Sequence, residues 1–297
     1  MSASALLMSS QGRLRSGWRA ALFLLLVVAL SPLATLLLAL PARIAGRPLP
    51  GDATMTVWLG GVVGALAAHW VMLRFVDRAP WSYVGLSRAQ GSAARVTPGL
   101  ALGALAVGIP CAILLAAGWL QLQAASGSWG AAESARLVVM LLVAALTEEL
   151  LMRGYLLSAL ADGVGRWTAL AVTSVVFALL HLNNPGMSPG ALVVVGLAGI
   201  FLGAVRFATS SLYAAWAAHF AWNAVLALVL HALVSGSSLA GAGWRTVDAG
   251  PDWATGGAWG PEGGVPAALG LVAATSLLII RRRRVAGANI VTAEPHA

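Results

Sequence analysis

Lysine is absent from this sequence, and charged residues of all kinds make up only 9% of it. Soluble domains carry about 25% charged residues. A chain that is 59% hydrophobic, with a mean hydropathy of +0.85, is therefore not a soluble domain. The 18 basic residues are all arginines, which together with abundant Ala, Gly and Leu is typical of a GC-rich bacterial genome. The composition predicts an integral membrane protein.

Cysteine occurs once, as Cys111 in an apolar run, which excludes an intramolecular disulfide and a cysteine-based zinc cluster. The net charge is +8, but the arginines are spread through short loops. Their only run, Arg281–Arg284, follows the last apolar segment. Such a run indicates a cytoplasmic flank or a contact with anionic lipid. Membrane lipids are therefore predicted as partners, and nucleic acid is not.

Apolar segments long enough to cross a bilayer divide the chain. We predict an all-α, polytopic membrane helix bundle of about eight transmembrane helices. The predicted spans are 18–40, 55–76, 98–121, 136–160, 167–182, 190–206, 210–233 and 264–280. A cytoplasmic N-terminus puts most arginines inside, as the positive-inside rule requires, and also puts the C-terminus inside. The expected location is the bacterial cytoplasmic membrane.

Ionisable side chains are costly at membrane depth, so those within the spans are functional candidates. In the fourth span Glu149 and Arg153 are four residues apart and share a helix face, which suits a structural ion pair. Glu148 points about 100° away and has no charged partner at the following turn. Desolvation without a counter-charge raises a carboxyl pKa, as a general base requires. The two glutamates thus divide into a structural and a chemical one.

Two further pairs have the same spacing of four residues. Phe177 and His181 lie on one face of the fifth span, and His219 and Asn223 lie on one face of the seventh. Taken alone, His181 is equally read as a satisfied core histidine, and Asn223 as a helix–helix hydrogen bond. Reflection of the fourth and fifth spans through their connecting turn places His181 within about 3 Å of the level of Glu148. The polar residues of three spans are therefore predicted to meet around one water-accessible cavity.

Three ordered motifs in hydrophobic segments carry a resemblance to a known family. They are Glu148-Glu149-x-x-x-Arg153, Phe177-x-x-x-His181 and His219-x-x-x-Asn223. Together they resemble the CPBP family of intramembrane proteases, also called the CAAX-protease and bacteriocin-processing, or Abi, family. The family includes the type II CAAX prenyl endopeptidases. The resemblance covers about residues 134–232, and Trp81-x-x-x-Gly85-Leu86 is similar to an upstream element of the family.

The resemblance implies peptide-bond hydrolysis within the membrane. It implies that Glu148 is the general base that activates water and that His181 helps to hold that water. It implies that His219 and Asn223 stabilise the oxyanion, which is usually the largest single contribution to catalysis. The residues expected to shape the site are Glu149, Arg153 and Phe177. The expected substrate is a membrane-associated or lipidated peptide or protein.

No cofactor is favoured for this reaction. The alternative is a zinc ion (Zn²⁺) held by Glu148, His181 and His219, because two imidazoles and a carboxylate leave an open position for water. The sequence has no H-E-x-x-H motif, and the two histidines lie on different helices. The metal-free mechanism is therefore favoured.

Two other functions stay open at this point. The chain is alternatively a non-catalytic immunity or scaffold protein of the same fold, although all motif residues are present. It is alternatively a proton-coupled transporter, since carboxylates and histidines at membrane depth suit a proton relay. A transporter more often shows paired halves, and no such repeat is found. We divide the chain into N-terminal spans (1–133), a catalytic core in spans four to seven (134–232), and an outer loop, last span and basic cytoplasmic tail (233–297).

Overall fold

The computed structural model describes residues 7–8, 12–47, 53–127, 130–239 and 243–291. Within these residues six helices are long and apolar enough to cross a membrane. They are Ser16–Ile44, Ala53–Val76, Ala93–Ala116, Pro189–Thr209, Leu212–Leu230 and Val265–Arg282. The predicted all-α polytopic membrane bundle is confirmed. The predicted tail beyond residue 291 lies outside the described residues.

The helices that carry the bundle are named in chain order. They are α1 (Ser16–Ile44), α2 (Ala53–Val71), α3 (Ala93–Ala116), α4 (Ala131–Glu149), α5 (Leu157–Val164), α6 (Arg166–Leu180), α7 (Pro189–Thr209), α8 (Leu212–Ala224), α9 (Asp252–Thr255) and α10 (Val265–Val291). In the part of the chain that the structure describes, three π-helical segments extend or join them: Met72–Val76, Leu150–Leu156 and Val225–Leu230. Short 3₁₀ turns lie at Trp81–Val84, Arg88–Gly91, Gly257–Trp259 and Pro261–Gly263.

The fourth and fifth predicted spans differ from the other six. The fourth consists of α4, the π-helical segment 150–156 and α5, and it carries the two glutamates and Arg153. The fifth is α6, which has 15 residues. A helix of that length is about 22 Å long, against about 30 Å of hydrocarbon. α6 is therefore too short to cross the bilayer by itself, and it ends inside the bundle at His181.

A two-stranded antiparallel sheet was not predicted. Strand β1 (Leu120–Ala125) pairs with β2 (Gly243–Asp248), with Leu120 opposite Asp248 and Ala125 opposite Gly243. The third predicted span was wrong at its end, because α3 stops at Ala116 and the alternating run Leu-Gln-Leu-Gln that begins at Leu120 is extended. The sheet ties the segment before α4 to the segment before α10.

Helix α8 lies at the centre of the bundle, where it packs against α3, α4 and α7. Glycines on α3 allow the closest of these approaches: a Cβ at Gly103 would stand 2.0 Å from the Ala218 carbonyl oxygen. The backbones of α3 and α8 therefore touch at this level, as small residues permit in membrane bundles. Ala218 immediately precedes His219, so this contact fixes the depth and rotation of a candidate site residue.

An ion-pair cluster around Arg19 connects α1 to the C-terminal end of α5. The Arg19 guanidinium on α1 lies 2.9 Å from Asp77 and 3.0 Å from Asp162, and its side chain is 3% exposed. The Tyr83 hydroxyl donates to Asp162 at 2.8 Å. The distribution of arginines along the sequence does not show that Arg19 is buried. Its ion pairs join α1 to the end of the π-helical segment 72–76 and to α5.

Candidate active site

The charged and polar side chains predicted on three helices lie together in the structure. Glu148, at the end of α4, approaches both candidate histidines: its Oε2 is 3.9 Å from His181 Nε2 and 3.8 Å from His219 Nε2. His181 follows the last residue of α6, and His219 lies within α8. Glu148 is 26% exposed and each histidine 12%. The cluster is therefore largely shielded while one carboxylate stays accessible.

Glu149 has a different environment from its neighbour. It is fully buried, its Oε1 accepts from Arg153 Nη1 at 3.0 Å, and the same oxygen lies 3.0 Å from His219 Nδ1. Arg153 Nη2 also donates to the Gly199 carbonyl on α7 at 3.3 Å. The adjacent glutamates therefore have the two different environments that their spacing predicts. Glu149 is enclosed by Arg153 and the Nδ1 side of His219, and Glu148 faces the Nε2 atoms of both histidines.

Hydrogen bonds orient both imidazole rings toward Glu148. His181 Nδ1 lies 2.8 Å from the Phe177 carbonyl oxygen, which only accepts, so Nδ1 carries a proton. His219 Nδ1 faces the Glu149 carboxylate in the same way. In each neutral ring Nε2 is then the acceptor, and both Nε2 atoms point at Glu148. Two acceptors and a carboxylate placed in this way suit a molecule that donates protons, such as water.

Phe177 packs between these groups. Its ring centroid is 4.3 Å from the Arg153 guanidinium carbon, 4.7 Å from the His181 ring and 6.2 Å from the His219 ring. Arg153 therefore combines an ion pair with a cation–π contact while remaining 1% exposed. Phe177 therefore contacts both Arg153 and the His181 ring.

The π-helical segment 150–156 makes this placement possible. Gly154 within it has a non-helical backbone, with φ −80° and ψ −118°. The amide of Tyr155 then bonds to His69 Nε2 on α2 at 3.0 Å, while His69 Nδ1 donates to the Ala65 carbonyl. A side chain from another helix thus satisfies the donor that the kink frees. This support for the motif was not found by sequence analysis, because no spacing pattern connects His69 to the motif.

An apolar cavity adjoins the two histidines. The centre of a water-sized sphere can occupy about 40 Å³ of it, within a recess of about 490 Å³ that includes space open to solvent. Its polar lining groups are His181, His219, Asn223, Ser235 and Glu262. The other lining residues are aromatic or aliphatic: Phe177, Val194, Val195, Ala198, Phe201, Leu202, Trp222, Trp259 and Leu271. Asn223 thus faces the same space as His219, one helical turn further along α8.

Sequence analysis missed the role of Glu262 in this cavity. Glu262 falls in the predicted outer loop of the 233–297 region, and no spacing pattern connects that loop to the motifs. The structure buries Glu262 to 8% exposure, with Trp222 Nε1 and the Ser235 amide donating to its carboxylate. Burial raises the pKa of the Glu262 carboxyl, and these donors oppose the rise.

The alternative zinc site is tested by the arrangement of its donor atoms. Two Nε2 atoms and a carboxylate oxygen are chemically suitable ligands. Among the described residues, however, no group of three or more His, Cys, Asp or Glu side chains is arranged to hold a metal ion. The Glu148 oxygen lies 3.8–3.9 Å from the two nitrogens. No step of the reaction is therefore derived through zinc.

A carboxylate–imidazole cluster beside an apolar cavity, inside a bundle of membrane-length helices, defines a class: polytopic membrane proteins with the components of a hydrolytic centre. Residues 130–225 of the chain match the family model of Rce1-like type II CAAX prenyl endopeptidases. This match supports the CPBP, or CAAX-protease, family of membrane proteases, which the motifs predict. The matched segment is about a third of the chain and contains all seven motif residues. No curated protein matches the chain.

Proposed function

We propose that the protein is an intramembrane endopeptidase in which Glu148 activates water to hydrolyse a peptide bond of a membrane-associated or lipidated substrate. The observation that carries the proposal is the position of Glu148 beside two imidazoles whose Nε2 atoms both face it, at 3.8 and 3.9 Å. A carboxylate in that position supplies the base, and the apolar cavity that His181 and His219 line adjoins the place proposed for an apolar chain.

The proposed step transfers one proton twice. Glu148 accepts a proton from water as the water oxygen bonds to the carbonyl carbon of the substrate, and the carbonyl electron pair moves to its oxygen. Collapse of the tetrahedral species breaks the C–N bond, and Glu148 returns the proton to the leaving amine. His181 Nε2 helps to hold the water, because its Nδ1 is engaged with Phe177.

The negative oxygen needs hydrogen-bond donors already in place. Asn223 and His219 face the same cavity from successive turns of α8. When His219 carries a proton on Nε2, Glu149 beside Nδ1 stabilises its positive charge. In this proposal Glu149, Arg153 and Phe177 fix the geometry and do not exchange protons with the substrate.

The proposal includes the organisation of the chain. Residues 134–232 form the catalytic core, preceded by N-terminal spans (1–133) and followed by the outer loop, last span and tail (233–297). The membrane is proposed to be the bacterial cytoplasmic membrane, with both termini inside. The distribution of arginines supports this orientation.

The decisive experiment compares wild type with Glu148→Gln and Glu149→Gln in lipid nanodiscs. Each is incubated with a library of apolar and lipidated peptides, with and without a chelator, and the products are read by mass spectrometry. Loss of a general base lowers the rate by about 10²–10⁴-fold, so Glu148→Gln is expected to lose cleavage while it stays folded. Metal content is measured on the same samples.

Other results would redirect the proposal. Undiminished cleavage by Glu148→Gln would show that another group is the base. Cleavage that chelation abolishes and zinc restores would replace the glutamate mechanism with the zinc alternative. A folded wild type that cleaves none of the peptides, and that couples to a proton gradient or protects cells from a peptide toxin, would favour the transporter or immunity function.

A further inference from the structure

The segment between α8 and α10 closes one side of the cavity. This outer segment, defined as residues 233–264, is described at 233–239 and 243–264. Its Trp259 is fully buried, lines the cavity and lies 6.4 Å, ring to ring, from His181. The outer segment lies wholly beyond the part that matches the family model, which ends at residue 225. The cavity therefore has a wall that the matched core does not supply.

The outer segment is fixed against the loop that follows His181. Asn184 Nδ2, in that loop, donates to the Ser235 carbonyl at 3.3 Å, and within the outer segment the Gly236 amide donates to the Trp259 carbonyl at 3.0 Å. A Cβ at Gly236, whose φ is +76°, would stand 1.7 Å from the Pro185 carbonyl oxygen. Only glycine allows this approach, so the two loops are in backbone contact at the rim of the cavity.

Glu262 links this segment to α8. Its Oε2 accepts a short hydrogen bond from Trp222 Nε1, and its Oε1 accepts from the amide and hydroxyl of Ser235, the latter at 3.2 Å. Hydrogen bonds to a carboxylate are about twice as strong as those between neutral groups. Trp222 immediately precedes Asn223 on α8. One buried carboxylate therefore holds the outer segment against the helix that carries His219 and Asn223.

We infer that Glu262 is a positioning residue that seats the outer segment as the wall of the substrate cavity and holds the Trp222 ring beside Asn223. The inference rests on the proposed function for its catalytic consequence but not for its structural one. Glu262 touches neither Glu148 nor the water that Glu148 activates in the proposed step. Its effect on hydrolysis is exerted through Trp222 and the outer segment.

The test uses two variants that change the link: Glu262→Gln, which preserves side-chain size, and Trp222→Phe, which preserves an aromatic ring in the wall. Glu262→Gln keeps the size of the side chain but places an amide NH₂ against one of two donors, Trp222 or Ser235. Trp222→Phe removes the indole N–H and keeps a ring. The matched control is Asp252→Asn, since Asp252 is an exposed carboxylate of the same segment. All are prepared in full-length protein in nanodiscs and compared for thermal stability.

The first readout does not depend on proteolysis. Val194 lines the cavity and is 5% exposed, and the buried Cys111 is the chain's only cysteine. In a Cys111→Ala, Val194→Cys background we measure the rate of modification by a charged methanethiosulfonate reagent. Glu262→Gln is expected to accelerate labelling about tenfold, and Trp222→Phe to accelerate it less, because fewer charged hydrogen bonds are lost. Asp252→Asn is expected to match the parent.

The second readout is the kinetics of whichever peptide the wild type cleaves. A displaced wall weakens substrate binding, so KM is expected to rise about tenfold in Glu262→Gln while kcat changes less. Labelling rates in Glu262→Gln and Trp222→Phe equal to the parent, or a rise shared by Asp252→Asn, would overturn the inference. If the wild type cleaves nothing but Glu262→Gln labels faster, the structural inference stands and the proposed function is what fails.

Discussion

At the scale of single residues, two adjacent glutamates have different chemistry because only one is enclosed. Glu149 is fully buried between Arg153 and His219, whereas Glu148 keeps 26% of its side-chain surface exposed and faces the two Nε2 atoms. A buried ion pair contributes little net stability but leaves an uncompensated charge when one partner is removed. The structural role of Glu149 and the chemical role proposed for Glu148 therefore follow from their different burial.

This leads to a prediction for the ion pair. Glu149→Leu and Arg153→Leu are each expected to lower the free energy of unfolding by about 3–5 kcal/mol, because each leaves the other charge buried without its partner. The double variant is expected to be more stable than either single one. Thermal unfolding of the three variants in nanodiscs measures this coupling. Strictly additive losses would contradict the buried pair.

At the scale of elements, the π-helical segment after Glu149 depends on a contact between α2 and Gly154. His69 accepts the Tyr155 amide, and a Cβ on Gly154 would stand 2.2 Å from His69 Nε2. A methyl group there must displace the imidazole or the backbone, and either change moves the turn that carries Arg153. The motif thus depends on a helix outside the matched segment.

The corresponding prediction concerns Gly154→Ala. We expect it to destabilise the protein by about 1–3 kcal/mol through overpacking, and to lower activity because the turn shifts. Gly190→Ala is the matched control, because its nearest added contact is an ordinary 3.8 Å, to Ser188 Oγ, near the start of α7. Thermal unfolding and peptide cleavage of both variants check this. Equal behaviour of the two would remove the proposed role of the His69 contact.

At the scale of the whole molecule, an orientation follows from the arginines and the six membrane-length helices. Both termini, and the segment between α2 and α3, are proposed to lie in the cytoplasm, and the β1–β2 sheet outside. In a Cys111→Ala background, Ser87→Cys is expected to react with an impermeant thiol reagent only after the cells are opened. Leu122→Cys, on the exposed side of β1, is expected to react in intact cells. The reverse pattern would invert the topology.

Much of the candidate site was predictable because its motifs are local. Residues four apart on a helix share a face, so the pairs ending at Arg153, His181 and Asn223 follow from spacing. A hairpin of two spans also fixes relative depth, which places His181 near Glu148. Spacing cannot show that α6 is too short to cross the bilayer, or that the backbone leaves the helical conformation at Gly154. Both features depend on partners from other helices.

The sequence by itself determined that this is a helical membrane protein and that it carries the three ordered motifs. It also determined which glutamate shares a helix face with an arginine. Those properties follow from composition and from the period of the α-helix. Only the tertiary structure decided that Glu262 and Trp259 join the cavity and that β1 pairs with β2. These contacts connect segments far apart in the chain, and no periodic pattern relates them. They form because buried polar and aromatic groups must find partners wherever the folded chain supplies them.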